Sequence, residues 1–459
     1  MKFFNYSQRK MVFLINKSNI PFFFLLMIFS FFNKTKQNKI VFPFKMELLN
    51  SLSNNYIDNL IQSRKYITIE IGNPKKSLNL YLTMDTSYLI ISNSSLDSSY
   101  YNNEKSQTYL NTSDLLDLYS NYLYNGYYAQ ETFWFLTSLE KKEKSKFNNI
   151  EFILAMKFSD ITKISPGYFG LQIPKKNKPN IYNCLKKENV ISEEYWNIEY
   201  ISDNEGYFIL GEYPPEYINE NLVRKANAYT CGPESTDLCW TLKFNNIKFG
   251  EIDVNMYRVA RIYPEFEFII APGEYEYKIS ENFFNKLNDK CKKKLTEASE
   301  SSGAFLYYYE CEKDINISNF KNLEFSHSEF MFNFILTKDD LFKMYNDKIY
   351  FLIIFNENAR YANSWTLGKP FLKKYKFGFN TYNHKIYFFY KDDNEEQQGS
   401  NYIVYYIIIG ILVIGVIIMA VFVIIKKYLK PKRKKANELT EEINVASDEN
   451  KKNRHNLGI

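Results

Sequence analysis

Residues 66–87 read YITIEIGNPKKSLNLYLTMDTS, and the prediction of the fold rests on this stretch. Apolar and polar residues alternate through Tyr66–Ile71 and again through Leu78–Thr83, which is the period of a β-strand with one buried face. Gly72-Asn73-Pro74 between them is typical of a tight turn. We therefore predict a hairpin whose second strand ends in a polar loop carrying Asp85.

Other short segments follow this hairpin along the chain. They are Ser106–Tyr109 (SQTY), Tyr122–Gly126 (YLYNG), Gly167–Leu171 (GYFGL), Gly206–Gly211 (GYFILG), Trp240–Leu242 (WTL) and Trp365–Tyr375 (WTLGKPFLKKY). Taken in this order with residues 66–87, they resemble the motifs of the pepsin-like aspartic protease family, peptidase A1. The last segment is the most specific of them, and the resemblance spans roughly residues 66–390.

The resemblance implies an all-β, bilobal fold with few helices, and short β-rich runs with polar breaks agree with it. We place the N-terminal lobe at 63–225 and the C-terminal lobe at 226–390. The clearest helical pattern is Glu281–Thr296. The resemblance further implies that Asp85, Thr86 and Ser87 form the first catalytic loop, although Ser87 stands where the family has glycine. It also places Tyr122, Tyr124 and Gly126 in the flap hairpin over the cleft.

The second catalytic loop is expected in Phe266–Tyr277, which reads FEFIIAPGEYEY. Set against the family pattern, Ala271 replaces the second aspartate, Pro272 replaces the hydroxyl residue and Gly273 is retained. Alanine has no titratable group, and aspartic proteolysis needs two carboxyl groups that share one proton. Glu274, or Asp85 of a second copy, stays open as another source of the missing carboxylate.

On this reading the lumenal or extracellular part is a pseudoprotease whose cleft binds an extended peptide or a protein ligand without cleaving it. The alternative is an active membrane-anchored aspartic endopeptidase, which the loss of the second aspartate argues against. A third interpretation is an adhesion or scaffolding surface with a vestigial cleft. The sequence does not decide between a binding cleft and a vestigial one.

Ile403–Ile425 is a run of 23 residues without a charged side chain, long enough to cross a membrane as a helix. Lysines and arginines follow it directly, so the positive-inside rule predicts a cytoplasmic tail at 426–459. Residues 391–402 are polar and acidic, which predicts a solvated stalk. These features predict a single-pass type I membrane protein of the secretory pathway, at the cell surface or in a lysosome-like or vacuole-like compartment.

The first 32 residues contain the short apolar run Ile20–Phe32, preceded by basic residues. This arrangement predicts a signal peptide, with retention as an N-terminal anchor as the alternative. Residues 33–62 are interpreted as a pro-segment or a linker.

The formal net charge is +6, and the basic residues concentrate at the two ends of the chain. Residues 40–425 are mildly acidic, which argues against nucleic acid as a partner. The three histidines, His327, His384 and His455, have no metal-binding spacing. We therefore expect neither a metal nor a cofactor.

Five cysteines lie between the two apolar segments, in a part of the chain where disulfides are permitted if it is lumenal. The spacing suggests Cys231–Cys239 and Cys291–Cys311, which leaves Cys184 unpaired. Glycan acceptor tripeptides begin at Asn93, Asn111 and Asn316.

Overall fold

The structure is a computed structural model of the chain of 459 residues. It describes residues 39–48, 55–94, 100–113, 116–117, 123–138, 144–158, 166–175, 180–213, 223–231, 235–253, 258–287, 289–296, 305–357, 364–390, 412, 415–423 and 437–447.

The chain divides into two compact units, 1–390 and 391–459. In the second unit the described residues 415–423 and 437–447 are helical. The first half of the first unit contains the following strands: β1 Ile40–Leu48, β2 Ser63–Ile71, β3 Lys76–Thr83, β4 Leu89–Ser92, β5 Leu110–Asn111, β6 Leu116–Asp117, β7 Leu123–Leu136, β8 Lys144–Phe158, β9 Gly167–Gly170, β10 Tyr195–Tyr200 and β11 Glu205–Leu210.

The second half of this unit is also mostly strands. They are β12 Val223–Asn227, β13 Tyr229–Thr230, β14 Leu238–Cys239, β15 Thr241–Lys243, β16 Asn246–Phe249, β17 Ile252–Asp253, β18 Val259–Ile262, β19 Ile269–Pro272, β20 Cys291–Leu295, β21 Leu306–Glu312, β22 Leu323–His327, β23 Phe332–Leu336, β24 Phe342–Tyr345, β25 Lys348–Phe351, β26 Ile353–Asn356, β27 Trp365–Leu367, β28 Lys376–Asn380 and β29 Lys385–Phe389. The short α-helices are α1 Tyr56–Gln62, α2 Ile181–Lys187, α3 Gly273–Asn282, α4 Lys338–Leu341 and α5 Lys369–Lys374.

The hairpin predicted from residues 66–87 is confirmed. β2 pairs with β3 in antiparallel register, with Tyr66 opposite Tyr81 and Ile71 opposite Lys76. Buried and more exposed side chains alternate along β2. Gly72 has a φ of +81° in the connecting turn, a backbone conformation that glycine adopts without steric cost.

One sheet of 14 strands continues from the N-terminal lobe into β10, β11, β28, β29 and β12. A second sheet of nine strands, which contains β18, β19 and β27, builds the C-terminal lobe. The buried apolar side chains of both lobes belong to one main core cluster. Across the lobes, the Trp240 indole N–H donates to the carbonyl oxygen of Leu171 at 2.6 Å. The mostly β architecture that the sequence predicts is therefore confirmed.

The helix predicted at Glu281–Thr296 is wrong in its position. The helix α3 begins at Gly273 and ends at Asn282, and Cys291–Leu295 is instead a strand that pairs with β21. The lysine-rich run in this strand has no strong strand preference of its own, so tertiary pairing overrides local propensity.

Both predicted disulfides are present. Cys231 is bonded to Cys239, and Cys291 is bonded to Cys311 across the β20–β21 pair. Cys184 is a buried free thiol, and burial raises its pKa to about 11.

The predicted N-terminal apolar segment Ile20–Phe32 lies outside the described residues, as does the stalk at 391–402. Of the predicted span Ile403–Ile425, only residues 412 and 415–423 are described. Within the described part of the chain, the structure contains no helix that is long and apolar enough to cross a membrane.

The strand β1 makes a testable prediction about the segment 33–62. This strand pairs with β11 on one side and with β2 on the other, and it buries Ile40, Phe42 and Phe44 completely or nearly so. Removing it would open two sheet edges and expose this part of the core. We expect a chain lacking residues 1–62 to be insoluble or unfolded, and a chain lacking 1–38 to unfold cooperatively, as judged by circular dichroism during heating. Equal melting temperatures for the two chains would contradict this prediction.

Candidate functional site

The loop that carries Asp85 connects β3 to β4, and both strands pair with β9. Tyr81 of β3 pairs in parallel with Tyr168 of β9. Ile90 of β4 pairs with the same residue in antiparallel orientation. Asp85 follows Tyr81 by four residues and is half-buried.

The C-terminal lobe repeats this arrangement in β18, β19 and β27. Arg261 of β18 pairs in parallel with Thr366 of β27, and Ile270 of β19 pairs with the same Thr366 in antiparallel orientation. Arg261 and Ile270 are nine positions apart, as are Tyr81 and Ile90, and the residue four positions after Arg261 is Glu265. Glu265 therefore occupies the position in this lobe that Asp85 occupies in the other.

Two glycines are consistent with this register. A Cβ on Gly170 would lie 2.4 Å from the carbonyl oxygen of Thr86 and 2.7 Å from that of Tyr88. A Cβ on Gly368 would lie 2.6 Å from the carbonyl oxygen of Phe266 and 2.2 Å from that of Phe268. In both loops the contacted carbonyl groups follow the acidic residue by one and by three positions, and only glycine permits so close an approach.

The two acidic loops contact each other. The backbone N–H of Met84 donates to Oε2 of Glu265 at 3.2 Å, and the Thr83 side chain also hydrogen-bonds Glu265. The Thr83 hydroxyl in turn accepts from the N–H of Asp85 at 3.1 Å. The Glu265 carboxyl group therefore reaches the Thr83–Met84 peptide unit, one residue before Asp85.

Burial, and secondly the Asp85 carboxylate, raise the pKa of Glu265 from its ordinary value of 4.5 to about 7. The Arg64 guanidinium and the hydrogen bonds from Met84 and Thr83 act in the opposite direction. Burial disfavours the charged form, and so does a second carboxylate nearby. Partial burial of Glu265 and the nearby Asp85 carboxylate therefore both favour its protonated form.

The first loop contains the predicted residues Asp85, Thr86 and Ser87. Thr86 and Ser87 are buried, and the Thr86 hydroxyl accepts from the N–H of Tyr88 at 3.1 Å. Ser87 is not among the residues with a positive φ. A serine therefore fits here, in place of the glycine of the family pattern, without backbone strain.

Ala271, Pro272 and Gly273 follow the Glu265 loop at the end of β19 and the start of α3, and their assignment as the second site stays a prediction. Ala271 is fully buried in the core and pairs with Phe355 in the interior of the sheet. Pro272 ends β19, and Gly273 begins α3. Glu274 lies in the first turn of that helix. The second acidic position is six residues earlier than Ala271.

Of the predicted flap residues, Tyr124 and Gly126 lie in β7, which pairs with β6. Asp117 of β6 pairs with Asn125 of β7, and Leu116 pairs with Gly126. Gly126 is thus at the base of the hairpin. Tyr124 lies in β7, with a side chain outside the described part, and Tyr122 lies outside the described residues.

Two β lobes, each presenting an acidic residue on an equivalent loop, define a bilobal acid-protease class of protein. The sequence model described as eukaryotic aspartyl protease matches residues 65–389. The chain belongs to this family. No curated protein matches the chain.

Glu265 could not be found from the family motif, because that motif is an aspartate followed by a hydroxyl residue and glycine, whereas Glu265 is followed by Phe266 and Glu267. A usable signal was present in the spacing. Val259–Ile262 is a short segment of apolar residues interrupted by Arg261, Glu265 follows it closely, and Ile269–Ile270 resumes the apolar pattern. The first loop has the same order of strand, acid and strand.

The pKa of Glu265 predicts how stability depends on pH. Because this pKa is higher in the folded state than in an unfolded chain, the folded protein binds more protons between about pH 4.5 and pH 7. Stability contributed by this group therefore falls as the pH rises through that window. We expect the melting temperature to decrease across it, and Glu265→Gln to flatten the decrease. An unchanged profile in the Gln variant would contradict the assignment.

Proposed function

We propose that this chain is a membrane-anchored acid endopeptidase whose two reacting carboxyl groups belong to Asp85 and Glu265. The observation that carries the proposal is the equivalence of the two loops, with Glu265 reaching the Met84 peptide beside Asp85. Glu265 supplies the second carboxyl group, which Ala271 cannot provide.

The chemistry needs one ionised and one protonated carboxyl group. In the proposed reaction Asp85 acts as the base that takes a proton from the attacking water. Glu265 holds its proton up to about pH 7 and donates it toward the oxygen of the scissile carbonyl. Activity is expected to fall above neutral pH, where Glu265 loses that proton.

The proposed substrate is an extended peptide with apolar side chains near the cleaved bond. Tyr263 and Phe266 flank Glu265 in sequence, and their rings stack with centroids 5.3 Å apart. Both are partly exposed, so they offer an apolar surface beside the reacting pair. Such a surface favours aromatic or aliphatic side chains.

The proposed topology has residues 40–402 in a lumenal or extracellular compartment and the basic tail in the cytoplasm. Two disulfides support an oxidising compartment for the first unit. The apolar run Ile403–Ile425 with basic residues after it supports the anchor.

The test is digestion of a broad peptide library by the purified full-length protein between pH 3 and pH 8. A transition-state mimic of peptide hydrolysis is added in parallel, and Asp85→Asn is the inactive control. Inhibitor-sensitive cleavage that is lost in Asp85→Asn supports the proposal. Absence of cleavage at every pH overturns it.

A second candidate is a pseudoprotease that binds a peptide or protein ligand in the same cleft. Differences between the Asp85 loop and the Glu265 loop favour this second candidate. Phe266 stands where the first loop has Thr86, so the second loop lacks the equivalent hydroxyl, and glutamate is one methylene longer than aspartate. Saturable binding of library peptides without cleavage would support this candidate instead.

A further inference from the structure

A buried cluster of three charged side chains lies beside the Glu265 loop. Glu267, two residues after Glu265, has a side chain that is 1% exposed, between Lys65 and Lys369. Lys65 of β2 contacts Oε1 of Glu267. Lys369, the first residue of α5, contacts Oε2 at 2.6 Å. Each carboxylate oxygen therefore has a lysine of its own.

The same two lysines also hold the backbone of the loop. Nζ of Lys65 lies 3.5 Å from the carbonyl oxygen of Glu265. The backbone N–H of Lys369 donates to the carbonyl oxygen of Phe266 at 2.8 Å. Three consecutive residues of this loop thus contact one lysine from the N-terminal lobe and one from the C-terminal lobe.

The buried charges of this cluster must stay paired, which limits the positions that the loop can take. Burial lowers the pKa of Lys65, while the Glu267 carboxylate opposes that shift. A buried ion is tolerated only when it is paired and hydrogen-bonded. Moving the loop would separate Glu267 from both lysines, so the cluster strongly restricts where the loop can lie.

Among the described residues, the first loop contacts no cluster of this kind. By the strand register, the position of Glu267 corresponds to Ser87, a buried uncharged residue. The surroundings of the two acidic residues therefore differ. The charged cluster lies beside Glu265, which has a longer side chain than Asp85.

We propose that Lys65 and Lys369, acting through Glu267, are positioning residues that hold the Glu265 carboxyl group beside Asp85. This inference rests on the proposed function, and it adds the two lysines and Glu267 to the residues on which cleavage depends. None of the three needs to touch the substrate.

The cluster can be reached from outside. A cavity of about 630 Å³ is lined by Glu267 and Lys369, together with Asp203 and Lys374. This volume admits a small alkylamine. Truncating Lys369 to alanine and adding ethylammonium is therefore a direct test of whether a cation at this place is what the loop requires.

The experiment compares Lys369→Ala and Lys369→Arg with Lys374→Ala in peptide cleavage by the full-length protein. Lys374 lines the same cavity but pairs with Asp340 at 2.6 Å, so it is the matched control. We expect Lys369→Ala to lower kcat at least tenfold with KM within twofold. Ethylammonium or the arginine variant should restore most of the loss, and Lys374→Ala should leave kcat unchanged.

Two results would overturn the proposal. One is an unchanged kcat in Lys369→Ala. The other is a loss that neither arginine nor ethylammonium restores, with an equal loss in Lys374→Ala, because both would then act only through stability.

A separate readout keeps the test decisive if the unaltered protein cleaves no peptide, which overturns the proposed function alone. The melting temperature is then followed against pH, and Glu265→Gln identifies the part of the profile due to Glu265. Lys369→Ala should move that part toward lower pH, because a displaced Glu265 is less buried and farther from the Asp85 carboxylate. An identical profile would overturn the positioning role.

Discussion

Glu265→Gln is expected to lower kcat/KM for peptide cleavage by about 10³-fold, which is the scale of a lost general acid. Glutamine fills nearly the same volume and can still accept the hydrogen bond from Met84, but it cannot transfer a proton. The fold should therefore survive the change. Initial rates on the best library peptide at pH 5, together with the melting temperature, measure both quantities.

Glu274→Gln is the matched control for this variant. Glu274 is an exposed carboxylate in the first turn of α3, close in sequence to Ala271. If the second carboxyl group came from that part of the chain, Glu274→Gln would abolish cleavage and Glu265→Gln would not. We expect the reverse, with the rate of Glu274→Gln within twofold of the unaltered protein.

Trp196→Ala is expected to lower the free energy of unfolding by roughly 3–5 kcal/mol, the usual cost of truncating a buried aromatic side chain. Trp196 is fully buried and stacks on Phe379 of the paired strand β28 with a centroid distance of 4.1 Å. It also meets the edge of Trp240. Its loss leaves a cavity in the sheet that joins the two lobes.

Urea denaturation measures this effect, and Ile201→Ala is its control. Ile201 follows the same strand and is 58% exposed, so its truncation should change the free energy of unfolding by less than about 0.5 kcal/mol. Similar losses in the two variants would show that Trp196 is not a central packing residue.

Local sequence was sufficient for much of the fold. The alternation in residues 66–83 predicts the β2–β3 hairpin because side chains on a strand alternate between its faces. The short separations of Cys231 from Cys239 and of Cys291 from Cys311 were enough to predict both disulfides. The chain order of the motifs was enough to predict the family.

The second carboxyl group could not be predicted in the same way. Its place depends on which residues of β18 and β19 pair with Thr366, about 100 positions later in the chain. Shifting the comparison by six residues exchanges Glu265 for Ala271, and with it the conclusion about chemistry. Aligning the family motif on Gly273 ignored the spacing between strand and acidic residue in the first loop, and it therefore pointed to Ala271.

The amino-acid sequence by itself determined the hairpin that presents Asp85 and the two disulfides, since each depends on residues close together in the chain, and the β-rich bilobal class, which follows from the order of short local motifs. Only the tertiary structure decided that Glu265 hydrogen-bonds the Met84 N–H next to Asp85 and that Lys65 and Lys369 pair with Glu267. The physical reason is that burial and electrostatic coupling depend on which distant strands and helices meet, and no local pattern encodes that register.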